Sequence, residues 1–273
     1  SRRATRRLGG MARRARWAGS LGLLLALAPG CGRSGVFEAG PSSSEGARFP
    51  LPDGFGDWQT DAPTPTATPA LSQCGRGIDP DLVGCWPFDG SFADGSMQGN
   101  VVNVSGVSFG SGVAGGSAVF GGSSAFSVAS NPEFDLSAMT VETWVRLAAL
   151  PPSPVTLLHR SPTIRISITP AGAAECRFDN SELSASADGA VQAGQWTHIA
   201  CTFDPGGDFL VWVDAVSSDP GGADGGPGGS TVDLRLGART DDTERFTGDL
   251  DVVRLWRRVL TPTELCTAAG TTC

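Results

Sequence analysis

From Cys74 onward the chain consists of short runs in which apolar and polar residues alternate, and this pattern restricts its fold more than any other feature. Turn-forming Gly, Pro, Asp and Ser residues separate the runs. The runs are LVGCWPFDG (82–90), SAVFGG (117–122), MTVETWVRL (139–147), TIRISIT (163–169), WTHIACTF (196–203), FLVWVDA (209–215) and LDVVRLWRR (250–258). A two-residue period with regular turns is typical of antiparallel β-sheet in a sandwich or barrel.

The run MTVETWVRL indicates how such strands present their side chains. Alternation places Val141 and Val145 on one face and Glu142, Trp144 and Arg146 on the other. Runs that are partly apolar on both faces suit two sheets stacked on each other. We therefore predict an antiparallel two-sheet sandwich.

One helix is predicted, near the end of the chain. Thr261-Pro262-Thr263-Glu264 has the form of a capping box with Pro at the first helical position. This pattern predicts a turn or two of helix through Leu265 and Cys266.

Residues 11–31 have the composition of an export signal. Three arginines precede an apolar stretch, residues 17–28, which has signal-peptide length and is too short to span a bilayer stably. Ala28-Pro29-Gly30-Cys31 then resembles a bacterial lipobox, whose cysteine carries a diacylglyceryl thioether and becomes the new N-terminus. The alternative is an ordinary signal peptide cleaved nearby, with Cys31 a free or paired thiol.

Two further expectations concern this segment. Residues 1–10 precede a plausible start at Met11 and are interpreted as an upstream misreading of the gene. Gly32, rather than Asp, follows the cysteine, and similarity to lipoprotein sorting rules then favours the outer membrane, with the domain periplasmic or surface-exposed.

The next segment is predicted to be a tether. Residues 32–73 lack sustained periodicity and include DAPTPTATPALS, in which Pro alternates with Thr and Ala. Such sequences favour extended chain that cannot bury a core. We assign residues 1–30 to a signal peptide, 31–73 to the lipidated cysteine and a disordered Pro/Ser/Thr-rich tether, and 74–273 to one domain.

The charge distribution argues against nucleic acid as a partner. Seven arginines and no acidic residue precede Cys31, so cleavage there leaves 13 arginines against 28 acidic residues, a net charge of −15. Such a protein repels nucleic acid and anionic membrane surfaces, and membrane attachment would come from the lipid anchor.

Four motifs follow one another along the domain. They are LVGCWPFDG with ADGSMQGN, SAVFGGSSAFSVASNPEFDLSAMTVETWVRL, GQWTHIACTFD with FLVWVDA, and LRLGART with FTGDLDVVRLWRRVLTPTEL. In this order they resemble the laminin-G-like jelly-roll family of the concanavalin A-like lectin/glucanase superfamily, over about residues 80–268. The resemblance implies an all-β fold, a two-sheet antiparallel jelly-roll sandwich with a short C-terminal helix.

The cysteines predict a disulfide framework. Besides Cys31 there are six: Cys74, Cys85, Cys176, Cys201, Cys266 and Cys273. An even number in an exported chain favours disulfides over zinc, since the chain has no CxxC and only two histidines. Cys176 and Cys201 lie on successive predicted strands and are the expected pair. The other four flank the two ends of the domain, which a sandwich usually brings together, and Cys85 with Cys266 and Cys74 with Cys273 is one option.

No motif supports catalysis. The stretch GDLD (248–251) is similar to the paired-carboxylate strand of laminarinase-type glucanases, which needs two Glu flanking an Asp at alternate positions. The matching positions here are Asp249, Asp251 and Val253, with no Glu. His198 shares a face with Trp196, and the resemblance implies that it packs and hydrogen-bonds. We therefore expect no enzymatic activity and no catalytic residue.

Metal and sugar sites have weak signals. Asp89, Asp94 and Asn100 lie in a Gly-rich loop, where turn formation is the favoured role and a structural calcium the alternative. We expect no cofactor otherwise. The tryptophans in predicted strands are expected mostly in the core, which leaves few stacking platforms for sugars: Trp86, Trp144, Trp196, Trp212 and Trp256.

These observations predict a non-catalytic envelope lipoprotein that binds glycans or proteins through loops at the sandwich edge. The first alternative is a structural or adhesive envelope protein without a small ligand. The second is a carbohydrate-active hydrolase. Neither the ligand nor the oligomeric state is determined by the sequence.

Overall fold

The computed structural model describes residues 73–74, 79–178, 183–186, 188–218 and 226–273. The expected signal peptide, Cys31 and the expected tether up to residue 72 lie outside these residues. No helix in the described part of the chain is long and apolar enough to cross a membrane.

Strands account for nearly all of the regular structure in the described ranges. They are β1 (Leu82–Trp86), β2 (Val102–Ser105), β3 (Ser108–Ser111), β4 (Gly116–Phe120), β5 (Ala125–Val128), β6 (Met139–Arg146), β7 (Val155–Arg160), β8 (Ile164–Ile168), β9 (Ala174–Arg177), β10 (Leu183–Ala185), β11 (Trp196–Phe203), β12 (Phe209–Val213), β13 (Val216–Ser217), β14 (Leu234–Leu236) and β15 (Gly248–Trp256). A 3-10 turn (Pro132–Phe134) precedes β6, and α1 (Pro262–Ala268) follows β15. Each of the seven alternating runs overlaps one of these strands.

The strands form two antiparallel sheets. The first has the order β13-β12-β11-β6-β15-β4-β3, with β1 also paired to β15. The second has the order β10-β9-β8-β7-β14-β5-β2. The inward faces enclose one continuous apolar core that includes Val141, Val145 and Phe126. The expected jelly-roll sandwich with a C-terminal helix is confirmed.

A β-bulge interrupts β15. Asp251 lies opposite Trp144 of β6 and Arg254 lies opposite Glu142, so two residues of β15 lie opposite the single residue Thr143. Val252, within the bulge, has a φ of +48°. The bulge turns Val253 into the core and Arg254 outward, although strict alternation would place both Asp251 and Val253 on one face.

Helix α1 covers part of the outer face of the first sheet. Thr261 and Glu264 form the predicted capping box, with Pro262 at the first helical position. Leu265 is fully buried in a second apolar cluster that also contains Leu260, Trp256 and Ala200. This cluster fixes the helix against β15 and β11.

The disulfides partly differ from the expected arrangement. Cys176 of β9 is bonded to Cys201 of β11, which joins the two sheets through the core with a Cα–Cα distance of 5.9 Å. The other bonds are local, Cys74–Cys85 and Cys266–Cys273. The option that joined Cys85 to Cys266 and Cys74 to Cys273 is therefore not adopted.

The first and last strands do lie together, as that option assumed, because β1 pairs with β15. However, Cys85 packs on the outer side of the sheet against Cys74, and the chain after α1 turns back so that Cys273 reaches Cys266. These two disulfides therefore each close a short loop at one end of the domain and do not join the two ends.

Candidate functional site

The outer face of the first sheet carries a group of polar and aromatic side chains on neighbouring strands. Strands β12, β11, β6 and β15 lie side by side there, and their outward residues form rows across the sheet. The rows are Trp212–Ala200–Glu142–Arg254, His198–Trp144–Asp251 and Trp196–Arg146–Asp249.

A cleft of about 520 Å³ opens on this face. Its floor is formed by Trp144, Arg254 and Trp256. The turn between β3 and β4, through Val113 and Ala114, forms one wall together with Gln73, and α1 forms the opposite wall. The cleft therefore lies between a hairpin turn and a helix, over strands β6 and β15 of the first sheet.

Three of the five strand tryptophans lie on the outer face, although most were expected in the core. Trp86 is in the core and Trp256 is buried near α1, but Trp144, Trp196 and Trp212 are only half-buried on the outer face. The guanidinium of Arg146 lies 4.7 Å from the centre of the Trp196 ring. The alternation within MTVETWVRL already placed Trp144 beside two charged residues, and this was the signal for its outward orientation.

Glu142 anchors the floor of the cleft although it is completely buried. Its Oε1 accepts a hydrogen bond from Nε1 of Trp256 and lies 2.8 Å from Nε of Arg254. Its Oε2 lies 3.0 Å from Nε2 of His198. Burial alone would raise the pKa of Glu142, but the charge of Arg254 and the hydrogen bonds of His198 and Trp256 hold the pKa at about 2. The carboxylate is therefore ionised, and both of its oxygens are engaged by neighbouring side chains.

His198 has the structural role that the sequence predicts. It is buried, faces the same side as Trp196, and its ring centre lies 5.3 Å from that of Trp144. The other histidine, His159, is buried in β7 of the second sheet, where its Nδ1 accepts a hydrogen bond from the amide of Thr240.

Sequence reasoning did not single out Glu142 or Arg254, because a charged pair on neighbouring strands is visible only when the pairing of the strands is known.

Asp251 lies beside this network in a different environment. Its Oδ2 accepts hydrogen bonds from the amides of Val113 (2.8 Å) and Ala114 (3.3 Å), and its Oδ1 is buried without a partner in the described part of the chain. Burial raises the pKa of Asp251 to about 6, and the nearby charge of Asp89 contributes.

The carboxylates of β15 do not reproduce a glucanase pattern. Asp249 is held by Arg146, with the guanidinium 2.8 Å from Oδ2. Val253 points into the core, so the third position of the alternating pattern is absent from this face. The face combines half-buried tryptophans with polar groups that neighbouring residues already fix, which suits binding.

The Gly-rich loop after β1 does not gather its oxygen side chains into one site. Asp94 accepts hydrogen bonds from the amides of Cys85, Ser96 and Asn100, from the Ser96 hydroxyl and from the Asn100 side chain. Asp89 instead accepts a hydrogen bond from the amide of Gly116 in the wall of the cleft. Asp94 and Asn100 therefore organise a turn, and Asp89 belongs to a different cluster.

Similar solved structures share the sandwich. Domain 4 of AbnA, a GH43 extracellular arabinanase from Geobacillus stearothermophilus in complex with arabinotriose, is 21% identical, with a TM-score of 0.56 over 69% of this chain and 98% of that domain. The binding domain of Paraclostridial Mosquitocidal Protein 1 is 16% identical, with a TM-score of 0.57 over 71% of this chain and 52% of that one. The botulinum neurotoxin type G receptor-binding domain is 15% identical, with a TM-score of 0.55 over 70% and 51%. The chain thus spans about half the length of these two toxin domains.

The sequence itself also matches a family. No curated protein matches the chain. The family profile described as the concanavalin A-like lectin/glucanases superfamily matches residues 120–266, just over half of the chain. These residues run from the end of β4 to α1 and include every strand that forms the floor of the cleft. The chain belongs to the concanavalin A-like lectin/glucanases superfamily.

Proposed function

We propose that the domain binds a carbohydrate chain on the outer face of its first sheet, with a sugar ring stacked on the indole of Trp144. The observation that carries the proposal is the half-exposed position of Trp144 on the floor of the cleft, between Asp251 and the buried His198. A ligand pocket typically combines an apolar or aromatic surface with a few oriented polar groups.

The polar groups around Trp144 are held in place before any ligand arrives. Glu142 fixes Arg254 from below, and the indole NH of Trp256 is bonded to the same carboxylate. A site whose side chains are already ordered loses little conformational entropy on binding. The structure of the arabinanase domain with arabinotriose, which has the same fold, supports a sugar ligand but does not identify it.

A glycan array probed with the full chain tests this proposal. We expect binding to a limited set of glycans, and at least tenfold weaker binding for Trp144→Ala, because a central aromatic residue contributes on the order of 2 kcal/mol or more to an interface. Trp212→Ala is the matched control, since Trp212 lies on the same face but does not line the cleft. A folded, oxidised protein that binds no glycan, or equal loss in both variants, would contradict the proposal and favour a protein-binding or structural role.

We also propose that the site binds without hydrolysing. Glu142 is enclosed by three partners and Asp249 is paired with Arg146, so neither is available as a nucleophile or base. Prolonged incubation with a bound glycan should release no new reducing ends. Release that Asp251→Asn abolishes would instead reveal an enzyme.

The cellular context is a separate proposal, because Cys31 lies outside the described residues. The lipobox-like ALAPGC sequence supports a lipid anchor on Cys31 that attaches the protein to the outer membrane, facing the periplasm or the cell surface. Mass spectrometry of the mature N-terminus and fractionation of wild type and Cys31→Ser test it. An unmodified, water-soluble wild-type protein would contradict it.

A further inference from the structure

Each wall of the cleft lies next to a disulfide bond. Gln73, in the first wall, directly precedes the Cys74–Cys85 bond. The second wall is α1, and the chain that follows this helix is tied back to it by the Cys266–Cys273 bond. The third disulfide in the described part of the chain, Cys176–Cys201, lies in the core between the two sheets.

The three disulfides differ in how easily a reagent from solution can reach them. The Cys176–Cys201 bond is completely buried, and the Cys74–Cys85 bond is nearly so. In the remaining pair Cys266 is buried but Cys273 is exposed. A thiolate in solution can therefore approach Cys273 in the folded domain, whereas it reaches the other two bonds only after the surrounding structure opens.

The Cys266–Cys273 bond also closes the shortest loop of the three. Its cysteines are 7 positions apart, against 11 for Cys74–Cys85 and 25 for Cys176–Cys201. A disulfide that closes a short loop restricts the unfolded chain least, so this bond contributes least to the stability of the domain. The domain can therefore lose the bond and remain folded.

The first turn of α1 is anchored independently of the disulfide. Leu265 is completely buried in the second apolar cluster. Thr261 and Glu264 form the capping box, and the guanidinium of Arg258 donates two hydrogen bonds to the Glu264 carboxylate. These contacts should hold the start of the helix in place when the bond is reduced.

The end of α1 has fewer contacts of this kind. Thr267, Ala268 and Gly270 line the cleft. Gly270 has a φ of +65°, at which the chain reverses, and the amide of Thr271 then donates a hydrogen bond to the carbonyl oxygen of Cys266. The disulfide fixes this reversal, so its reduction would free the segment that shapes this wall of the cleft.

We propose that the Cys266–Cys273 bond is a site of thiol–disulfide exchange, at which a dithiol from solution opens one wall of the cleft and weakens ligand binding. A thiolate of the dithiol attacks Sγ of Cys273 and forms a mixed disulfide, and Cys266 leaves as a thiolate that takes up a proton. The second thiolate of the dithiol then attacks the mixed disulfide and releases Cys273 as a thiol. The protein gains two electrons and two protons, and the dithiol is oxidised to its disulfide.

The two parts of the proposal rest on different grounds. The exchange reaction is independent of any ligand, because it is followed on the cysteines themselves. The effect on binding rests on the proposed function, since the wall matters only if the cleft holds a glycan.

The experiment uses the full chain with Cys31→Ser, so that only the six cysteines of the domain can react. The protein is incubated with increasing concentrations of dithiothreitol, blocked with iodoacetamide and analysed by peptide mass spectrometry. We expect alkylation of Cys266 and Cys273 at dithiothreitol concentrations at least about tenfold below those that expose the other four cysteines, because only this bond is accessible.

The selectively reduced protein then reports on the wall and on the ligand. Hydrogen exchange should become faster at residues 267–271 and stay unchanged in β6 and β15. Binding to a glycan selected on the array should weaken on the order of threefold or more, because a wall that is no longer ordered must be ordered again on binding. Reoxidation before alkylation should restore both properties.

The variant Cys266→Ser/Cys273→Ser is the matched control. It should fold, keep the other two disulfides and bind the glycan as weakly as the reduced protein does, with no further response to the dithiothreitol concentration that reduces the parent selectively. Reduction of either buried bond first, or of all three together, would overturn the exchange site.

The remaining outcomes separate the two parts of the proposal. Selective reduction with unchanged hydrogen exchange at residues 267–271 would overturn the opening of the wall. An opened wall with unchanged glycan affinity would overturn its effect on binding. Selective reduction and an opened wall in a protein that binds no glycan would leave the exchange site standing and remove the sugar proposal.

Discussion

Glu142 and Arg254 lie opposite each other on neighbouring strands, and their charged groups are 2.8 Å apart beneath the floor of the cleft. The carboxylate is completely buried, whereas the guanidinium reaches the cleft. The pair therefore links the stability of the sheet to the arrangement of the proposed binding surface.

Replacement of Glu142 by Gln should destabilise the fold. The substitution leaves Arg254 without its counter-charge and disturbs the hydrogen bonds from Trp256 and His198. Breaking a buried pair from one side typically costs about 3–5 kcal/mol. Urea unfolding should show a loss of this order, and the control Glu264→Gln should lose less than about 1 kcal/mol because solvent reaches and screens its ion pair with Arg258. Equal losses in the two variants would contradict the role assigned to Glu142.

The stability of the domain should decline in acid. The pKa of Glu142 is about 2 in the folded protein against an ordinary value of 4.5, so its contribution is complete above pH 4.5 and is lost as the pH falls towards 2. A shift of this size corresponds to on the order of 3 kcal/mol. Urea midpoints measured between pH 2 and 5 should reveal this decline, and Glu142→Gln should flatten most of it. Glu264, whose pKa is also lowered to about 2, adds to the same trend.

Ionisation of Asp251 should lower the stability of the domain as the pH rises, which is the opposite of the effect of Glu142. The pKa of Asp251 is raised from 3.8 to about 6, so the folded protein holds this proton more tightly than the unfolded chain does. The free energy of unfolding should therefore fall as the pH rises from about 4 to 6, by on the order of 3 kcal/mol. Asp251→Asn should remove this decline and be more stable than the parent at pH 7. If the stability of the parent protein stays constant between pH 4 and 6, the pKa of Asp251 is not raised in the folded protein.

Val252→Gly should stabilise the domain. Val252 has a φ of +48°, a conformation in which a β-branched side chain is strained by about 1–2 kcal/mol and glycine is not. Since glycine also gives the unfolded chain more freedom, we expect a net gain of about 1 kcal/mol in urea unfolding. Val253→Gly, which empties a position in the core, should be destabilised instead. A destabilised Val252→Gly variant would mean that the bulge depends on the packing of the valine side chain.

Alternation in the sequence predicted the strands well, because both sheets pack one face on a single core and leave the other outside. The same alternation placed Trp144 beside Glu142 and Arg146, and only the assumption that tryptophans belong in the core hid its exposure. The positive φ of Val252 has no such signal. A bulge depends on how β15 fits against β6, and it moved Arg254 to the face where Val253 was expected.

The disulfides and the carboxylate pairs show which features cannot be predicted from alternation along the chain. The pair Cys176–Cys201 could be expected from neighbouring strands, but the local bonds of Cys74 and Cys266 depend on how the chain turns at each end. Asp89 and Asp251 are 162 positions apart, and the pairing of β1 with β15 together with the turn at 112–116 brings them close. Clusters of this kind require the three-dimensional structure.

The position of β15 has a consequence for how the domain is made. This strand bonds to β1, β4 and β6, all of which leave the ribosome well before it does. Three strands of the first sheet therefore remain incompletely paired until residues 248–256 have been synthesised, and contacts so distant along the chain form slowly. A nascent chain that ends before this strand exposes open sheet edges, which are a template for aggregation. We therefore expect the domain to complete its fold only once its last strand is available.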